Sequence, residues 1–210
     1  MKRYNRIMLG RGGMYADQCR KEGFIGVDFD VHLDMTDLLT TADSIRDFNK
    51  AYVPLYLKER PDKSKTAATL AGDCVWTVCK GLQVGDVALT PNGRGEFYVG
   101  RLEGAYYYVY GSELPHRRKV KWMDGTISRA KMSDKLRHST GAIGTCCDVS
   151  GYADEIEKLI SCGEHPVVVA PPIEQKSFQE RDLHRLLCTS LRARGIYAKN
   201  HISRKDPQKG

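Results

Sequence analysis

The fold is decided by three neighbouring stretches: Phe97-Tyr98-Val99-Gly100-Arg101-Leu102, Gly104-Ala105-Tyr106-Tyr107-Tyr108 and Pro115-His116-Arg117-Arg118-Lys119-Val120-Lys121-Trp122. Aromatic and β-branched residues alternate there with basic ones, which is typical of strands with two different faces. Because side chains alternate along a strand, Tyr106 and Tyr108 share one face and Tyr107 points to the other. The pattern predicts a hairpin meander in the middle of the chain.

The remaining elements are predicted outward from this meander. Pro91-Asn92-Gly93-Arg94-Gly95 is a turn between arms at 86–90 and 96–102, and the meander continues at 106–110 and 117–123. Further strands are predicted at 6–9, 24–29 and 144–149, and helices at 14–22, 45–58, 66–80, 133–138 and 152–161. Residues 34–39 are predicted to be a loop or turn.

This order of elements predicts the α+β class, as a small β-barrel with inserted and flanking helices. Residues 1–170 are predicted to form that domain, with a Pro-containing linker at 171–176. Residues 177–210 contain the capping pattern Ser177-Phe178-Gln179-Glu180, a leucine stripe and a basic tail, so a C-terminal helical appendage is expected.

The net charge of +7 is unevenly distributed along the chain. Residues 94–137 carry ten basic and five acidic side chains, and residues 173–210 carry nine and four. A basic surface that coincides with aromatic strands favours a nucleic-acid partner, in which bases stack on rings and cations hold phosphates. A solvated basic face is the alternative interpretation.

Other classes of protein are disfavoured by the composition. The seven cysteines are odd in number and form no CxxC pair, and Cys146 and Cys147 are adjacent, which favours reduced thiols in a cytoplasmic protein. No apolar run approaches the roughly 20 residues of a membrane span, and no signal peptide is recognised. We predict no metal site, no cofactor and no catalytic site in this chain.

Several residues have two possible roles. Gly10-Arg11-Gly12-Gly13 could place a phosphate before a helix, or could simply allow a tight turn. His116 has no evident nucleophile or carboxylate partner, so a phosphate contact or a structural hydrogen bond is expected rather than general-base chemistry. Asp28 and Asp30 could accept hydrogen bonds from a base edge or lie at a solvated strand end.

At these residues the chain, from Lys2 to about Ile160, resembles the N-terminal EVE-like domain (PUA superfamily) of Mrr-type and other modification-dependent restriction proteins. The matching segments keep their order along the chain: Gly10–Gly13, Ile25–Phe29, Phe48–Lys50, Trp76-Thr77, Val84–Asp86, Tyr98–Gly100, Tyr106–Tyr108, Leu114–Arg118, Val120–Trp122 and Ser139–Thr145.

The resemblance implies that a modified base is flipped out of double-stranded DNA into an aromatic pocket. The base would be a methylated or hydroxymethylated cytosine, or N6-methyladenine. The implied pocket residues are Phe29, Trp76, Tyr106, Tyr108, Arg11 and Asp28. The implied contacts to the nucleic-acid backbone are His116, Arg117, Arg118, Lys119, Lys121 and Arg94.

The tail, with Glu180–Leu187 and Ile196–Lys199, resembles the opening of a nuclease module that follows such readers. The chain stops at Gly210 before any PD-(D/E)xK residues, so we expect it not to cut DNA itself, and Mg²⁺ is expected only for a downstream nuclease domain. The alternative function is an RNA-binding PUA-like module, because a base pocket and a phosphate track serve either nucleic acid.

Overall fold

A long hairpin organises the molecule, whose computed structural model describes residues 2–162. Its arms are strand β4, Glu96–Tyr108, and strand β5, His116–Ser128, which pair antiparallel. Arg101 lies opposite Lys121 and Tyr107 opposite Arg117, with irregularities after Tyr98 and after Leu102. The predicted strands at 96–102 and 106–110 are therefore parts of one continuous strand, because the chain bulges at Leu102 to Tyr106 instead of turning.

The hairpin belongs to a six-stranded mixed sheet in the order β2-β5-β4-β3-β1-β6. The other strands are β1, Tyr4–Ile7; β2, Phe24–Val27; β3, Val87–Pro91; and β6, Cys146–Asp148. β1 and β3 are parallel, and the other pairs are antiparallel. Within the described residues no ladder joins the edge strands β2 and β6, so the sheet is open. The predicted α+β class is confirmed, and the expected closed barrel is not formed.

Helices cover both faces of the sheet. They are α1, Ala16–Glu22; α2, Thr36–Thr41; α3, Ile45–Glu59; α4, Lys65–Trp76, which continues into a π-helical turn at Thr77–Gly81; α5, Asp134–Thr140; and α6, Ala153–Cys162. A serine side chain accepts a hydrogen bond from a backbone N–H of the first turn in α3, α4 and α5. These serines are Ser44, Ser64 and Ser133. These caps explain why the predicted starts of the three helices lie close to the observed ones.

Two apolar cores lie on opposite sides of the sheet. The larger one packs Phe48 and Tyr52 of α3 and Val75 of α4 against Leu102 and Val120 of the hairpin. The smaller one packs α5 and α6 against the other side, with members including Val87, Phe97, Val99, Leu136 and Ile156. The strand ends at Tyr106–Tyr108 and His116–Arg118 adjoin the larger core.

Helix α2 corrects the prediction of a loop or turn over residues 34–39. The Asp34 carboxylate accepts the Thr36 N–H at 2.9 Å, which starts the helix. The Lys80 ammonium donates to the carbonyl oxygens of Leu39 and, at 2.7 Å, Ala42, which satisfies the helix end. That stabilising contact comes from a residue about 40 positions away, so local sequence does not reveal it.

The predicted linker at 171–176 and the predicted helix and tail at 177–210 lie outside the described residues. Among residues 2–162, no helix is both long enough and apolar enough to cross a membrane.

Candidate nucleic-acid interface

The hairpin brings together two of the predicted pocket tyrosines. Tyr106 pairs with Arg118, and Tyr108 pairs with His116, so both tyrosines share the strand face that adjoins the larger core. Tyr107 is 38% exposed, whereas its two neighbours are half-buried. The alternation predicted from the sequence is therefore present.

His116 ties the segment 28–35 to the end of the hairpin. The imidazole is 1% exposed, and its Nε2 donates to the Val31 carbonyl oxygen at 2.8 Å. Its Nδ1 accepts from the Tyr106 hydroxyl at 3.0 Å, and the Met35 N–H donates to the same hydroxyl oxygen at 3.1 Å. Burial lowers the pKa of His116, which favours the neutral ring that this pattern requires.

The role predicted for His116 on the nucleic-acid backbone is therefore replaced by a structural one. Both ring nitrogens are already used inside the protein, and the ring is almost wholly buried. The structural hydrogen bond left open by the sequence is the role the geometry supports.

Tyr108 offers an unused polar group beside this network. Its ring lies 5.4 Å from the His116 ring between centroids, at an angle of 45°. Its Oη is shielded from solvent and has no hydrogen-bond partner among the described residues. Burial raises the pKa of Tyr108, and the carboxylates of Asp28 and Asp34 raise it further, so the phenol stays protonated. An unpaired buried hydroxyl is unfavourable unless a ligand or water satisfies it.

Asp28 lies in the same region and is held in place by its own loop. Its carboxylate accepts the Asp30 N–H at 2.9 Å and lies 3.3 Å from Nε2 of His32. Asp30 has a positive φ of 60°, and its carboxylate pairs with Arg60. The Asp28 carboxylate acts electrostatically on Tyr108, His116 and the buried Tyr52. Val27, which precedes Asp28, pairs with His116, so Asp28 lies at the same end of the hairpin as Tyr106 and Tyr108, and these are three of the six predicted pocket residues.

The other three predicted pocket residues are not assembled into a cage with these. Phe29 is half-buried against the larger core. Trp76 packs on Phe48, with 5.5 Å between ring centroids, and the Lys80 ammonium lies 5.1 Å from its ring. Among the described residues no ring-to-ring contact joins Trp76 to either tyrosine, and Trp76 packs against the larger core.

Arg11 lies on the exposed surface in a tight turn. Gly10, Gly12 and Gly13 around it all have positive φ values, between 64° and 82°. A Cβ at Gly13 would overlap the carbonyl oxygen of Pro91, so glycine is required there for the turn to approach the β3–β4 hairpin. The glycines therefore allow the tight turn, the second of the two roles considered for this motif, and Gly13 also allows a close approach to Pro91.

Arg118 is structural. It is 5% exposed, and its guanidinium donates to four carbonyl oxygens, those of Gly104 at 2.6 Å, Leu82 at 3.0 Å, Cys79 at 3.1 Å and Val78 at 3.5 Å. Burial lowers its pKa. A cation enclosed by protein carbonyls cannot reach a phosphate, so Arg118 is withdrawn from the predicted backbone contacts.

Arg117 and Arg94 are committed to other partners. The Arg117 guanidinium lies 3.8 Å from the centre of the Phe24 ring, and its Nε donates to the Leu114 carbonyl oxygen at 2.7 Å. Its side chain is only 11% exposed. Arg94 makes two hydrogen bonds to the Asp17 carboxylate, of 2.8 and 2.9 Å, and these lower the pKa of Asp17. Arg117 therefore holds the fold together, whereas Arg94, whose side chain is 58% exposed, is occupied in a surface ion pair with Asp17.

Two predicted backbone contacts remain, and the structure adds a third. Lys119 and Lys121 are exposed on β5, and Arg101 is exposed on β4 directly opposite Lys121. Within the described part of the chain none of the three lies within 4 Å of a carboxylate oxygen, so none forms an ion pair. We call Arg101, Lys119 and Lys121 the exposed basic face. Alternation with the buried Leu102 was the sequence signal that could have identified Arg101.

A shallow cleft elsewhere on the surface does not coincide with the tyrosine site. It encloses about 150 Å³, partly open to solvent, between α1 and the turn that precedes β5. Its lining includes Tyr15, Phe24, Leu114 and Arg117. No group of three or more metal-ligating side chains occurs in residues 2–162.

Comparison with known proteins identifies the family of this chain. No curated protein matches the sequence. A family model described as a domain of unknown function, DUF8426, matches residues 7–142. That range covers well over half of the chain and includes every predicted pocket and backbone residue. The chain therefore belongs to the DUF8426 family.

Proposed function

We propose that this chain is a DNA-reading specificity domain of a modification-dependent restriction or phage-defence system. In this proposal it recognises a modified base that is flipped out of the duplex, and a nuclease module supplies cleavage. The fold would then be an open variant of the EVE-like, PUA-superfamily domain, with its helices inserted between the first strands. Cytoplasmic location follows from the same proposal.

The observation that carries the proposal is the juxtaposition of Tyr106, Tyr108 and Asp28 with the unpaired Tyr108 hydroxyl. Tyr106 and Tyr108 lie two residues apart on β4 beside His116, and Asp28 follows Val27, which pairs with His116 across β2 and β5. A flipped base is recognised by stacking on aromatic rings and by hydrogen bonds to its edge. Tyr108 Oη can donate or accept such a bond, and the Asp28 carboxylate can accept from an exocyclic amino group.

Opening of the segment 28–35 is part of the proposed mechanism, because the Tyr108 hydroxyl is shielded from solvent. The hydrogen bonds from His116 to Val31 and from Met35 to Tyr106 hold that segment on the hairpin. Exchange of these contacts for contacts with a base would expose the ring face of Tyr108. The free energy of opening would lower the apparent affinity for every base by the same factor, so selectivity would come from the contacts made with the base after opening.

The exposed basic face supplies the proposed grip on the phosphates. Lys121 lies five residues along β5 from His116, about 17 Å at 3.4 Å per residue. Because side chains alternate along a strand, Lys119, Lys121 and Arg101 point to the face of Tyr107, opposite that of Tyr106 and Tyr108. In this proposal a bound strand reaches both sets of residues by crossing the end of the hairpin.

Equilibrium binding to duplexes that differ in one central base tests the proposal. The bases are cytosine, 5-methylcytosine, 5-hydroxymethylcytosine, adenine and N6-methyladenine, at one fixed salt concentration. We expect one modified duplex to bind at least about tenfold more tightly than its unmodified parent, a difference of about 1.4 kcal/mol in binding free energy. Equal, weak binding to all duplexes would contradict base reading, and stronger competition by RNA would favour the PUA-like RNA-binding alternative.

A further inference from the structure

Two thiols that are distant in the sequence meet between helix α4 and the edge strand β6. Cys74 lies on α4 and Cys146 lies on β6, 72 residues later. The Cys146 thiol lies 3.9 Å from the Cys74 carbonyl oxygen, so the two cysteines are neighbours in space. Both residues are partly buried, and Cys146 packs against the larger core.

We propose that Cys74 and Cys146 form a disulfide when a peroxide oxidises the chain. This inference is independent of the proposed DNA-reading function. The Cys74 thiolate attacks one peroxide oxygen, the O–O bond breaks, and the products are a sulfenic acid on Cys74 and one molecule of water. The Cys146 sulfur then attacks the Cys74 sulfur, the S–O bond breaks, and a second water leaves. Two thiols are oxidised and one hydrogen peroxide is reduced to two waters.

Two other cysteines, Cys19 and Cys79, differ from this pair in the pKa of their thiols. Burial raises the pKa of Cys19 to about 12 and also raises that of Cys79. In the proposed pair, the hydrogen bond from Cys146 lowers the pKa of Cys74, while the same contact and burial raise that of Cys146. This asymmetry is the one expected of an attacking thiol and a resolving thiol, because the thiolate is the nucleophile.

The bond would join helix α4 covalently to the edge strand β6. β6 is a strand of three residues that pairs with β1 alone among the described strands. A crosslink that closes a loop of 72 residues restricts the unfolded chain strongly. The oxidised form should therefore melt at a higher temperature than the reduced form, by at least about 5 °C.

Peptide mapping of the full chain after peroxide treatment tests the proposal. Trypsin leaves Cys74 and Cys79 on one peptide, 66–80, and Cys146 and Cys147 on another, 138–158. The experiment therefore uses the Cys79→Ala, Cys147→Ser double variant, in which Cys74 and Cys146 are the only thiols on those peptides. We expect a crosslinked pair of peptides, an intact mass lower by two hydrogens, and reversal by a thiol reductant.

Three further substitutions, each added to the double variant, complete the test. Cys74→Ser and Cys146→Ser in the same background should abolish the crosslink, and Cys19→Ser should retain it. Thermal melting under reducing conditions verifies that each variant is folded. Oxidation of Cys74 to a sulfinic acid without a crosslink, or loss of the crosslink when only Cys79 and Cys147 are replaced, would overturn the proposal.

Discussion

Strand β5 contains two adjacent stretches of basic residues with different environments. His116, Arg117 and Arg118 are buried or nearly so and hold the hairpin, the segment 28–35 and the π-helical turn together. Lys119 and Lys121 are exposed on the same strand. The comparison teaches that a basic run in a sequence identifies neither a surface nor a ligand, because each guanidinium can also satisfy buried carbonyl groups.

The largest effect is expected at Arg118. Replacement by alanine removes a buried cation and leaves the carbonyl oxygens of Gly104, Cys79 and Leu82 without their donor. We expect a loss of about 3 kcal/mol in the free energy of unfolding, measured with urea. The matched control is Lys119→Ala, which should change it by less than about 0.5 kcal/mol. Equal effects of the two variants would remove the distinction between the two regions.

The next largest effect is expected for Tyr106→Phe. This change removes only the hydroxyl that joins His116 to Met35, so His116 Nδ1 and the Met35 N–H lose their partner. We expect a loss of about 2 kcal/mol in stability by urea unfolding. Tyr107→Phe on the opposite strand face is the control and should be near neutral. A neutral Tyr106→Phe would show that the segment 28–35 is not held through this hydroxyl.

The exposed region should affect binding rather than stability. The double variant Lys119→Gln, Lys121→Gln should weaken binding to every duplex by about tenfold and reduce the slope of log affinity against log salt by about two. Stability should be unchanged. Lys131→Gln with Lys158→Gln, at two exposed lysines on other elements, is the control. An unchanged salt slope in the Lys119, Lys121 variant would show that phosphates bind elsewhere.

The smallest effect concerns the pH dependence of the buried region. Because burial lowers the pKa of His116, the unfolded chain takes up a proton below about pH 6.5 that the folded chain does not. The free energy of unfolding should therefore fall as the pH falls below that value, by up to about 1.4 kcal/mol per pH unit. In urea unfolding at several pH values, His116→Gln should lose this contribution and His138→Gln should retain it. The same pH dependence in both variants would contradict a neutral, buried His116.

Periodicity predicted most of the elements correctly. The strands of the hairpin, the helix at 45–58 and the helix stopped by Gly23 follow from alternation, from helical spacing and from a left-handed glycine cap. These features are local, and each is written in consecutive residues. The α+β class follows directly from their order.

The missed features depend on partners distant in the sequence. Arg6 is fully buried in β1, and its guanidinium donates to the carbonyl oxygens of Ala142 and Gly144, both at 2.6 Å. Strand alternation gives no sign that a charged residue is buried, since the acceptors come from a loop 136 residues away or more. The burial of Arg118 and the formation of α2 were missed for the same reason.

The candidate site was predictable in part. Tyr106 and Tyr108 share a face because of alternation, and Asp28 was assigned through the family resemblance. The distinction between exposed Lys119 and buried Arg118 depends on which strand face receives α4 and its π-helical turn, which no local pattern specifies.

The most direct test of base reading is the ratio of affinities for a modified duplex and its unmodified parent, measured for the wild type and for Tyr108→Phe. The substitution removes only an unpaired buried hydroxyl, so stability should be unchanged or slightly higher. We predict that the ratio falls toward one in Tyr108→Phe and keeps its wild-type value in Tyr107→Phe and in the Lys119, Lys121 variant. A wild-type ratio in Tyr108→Phe would contradict the assignment of this site to the base.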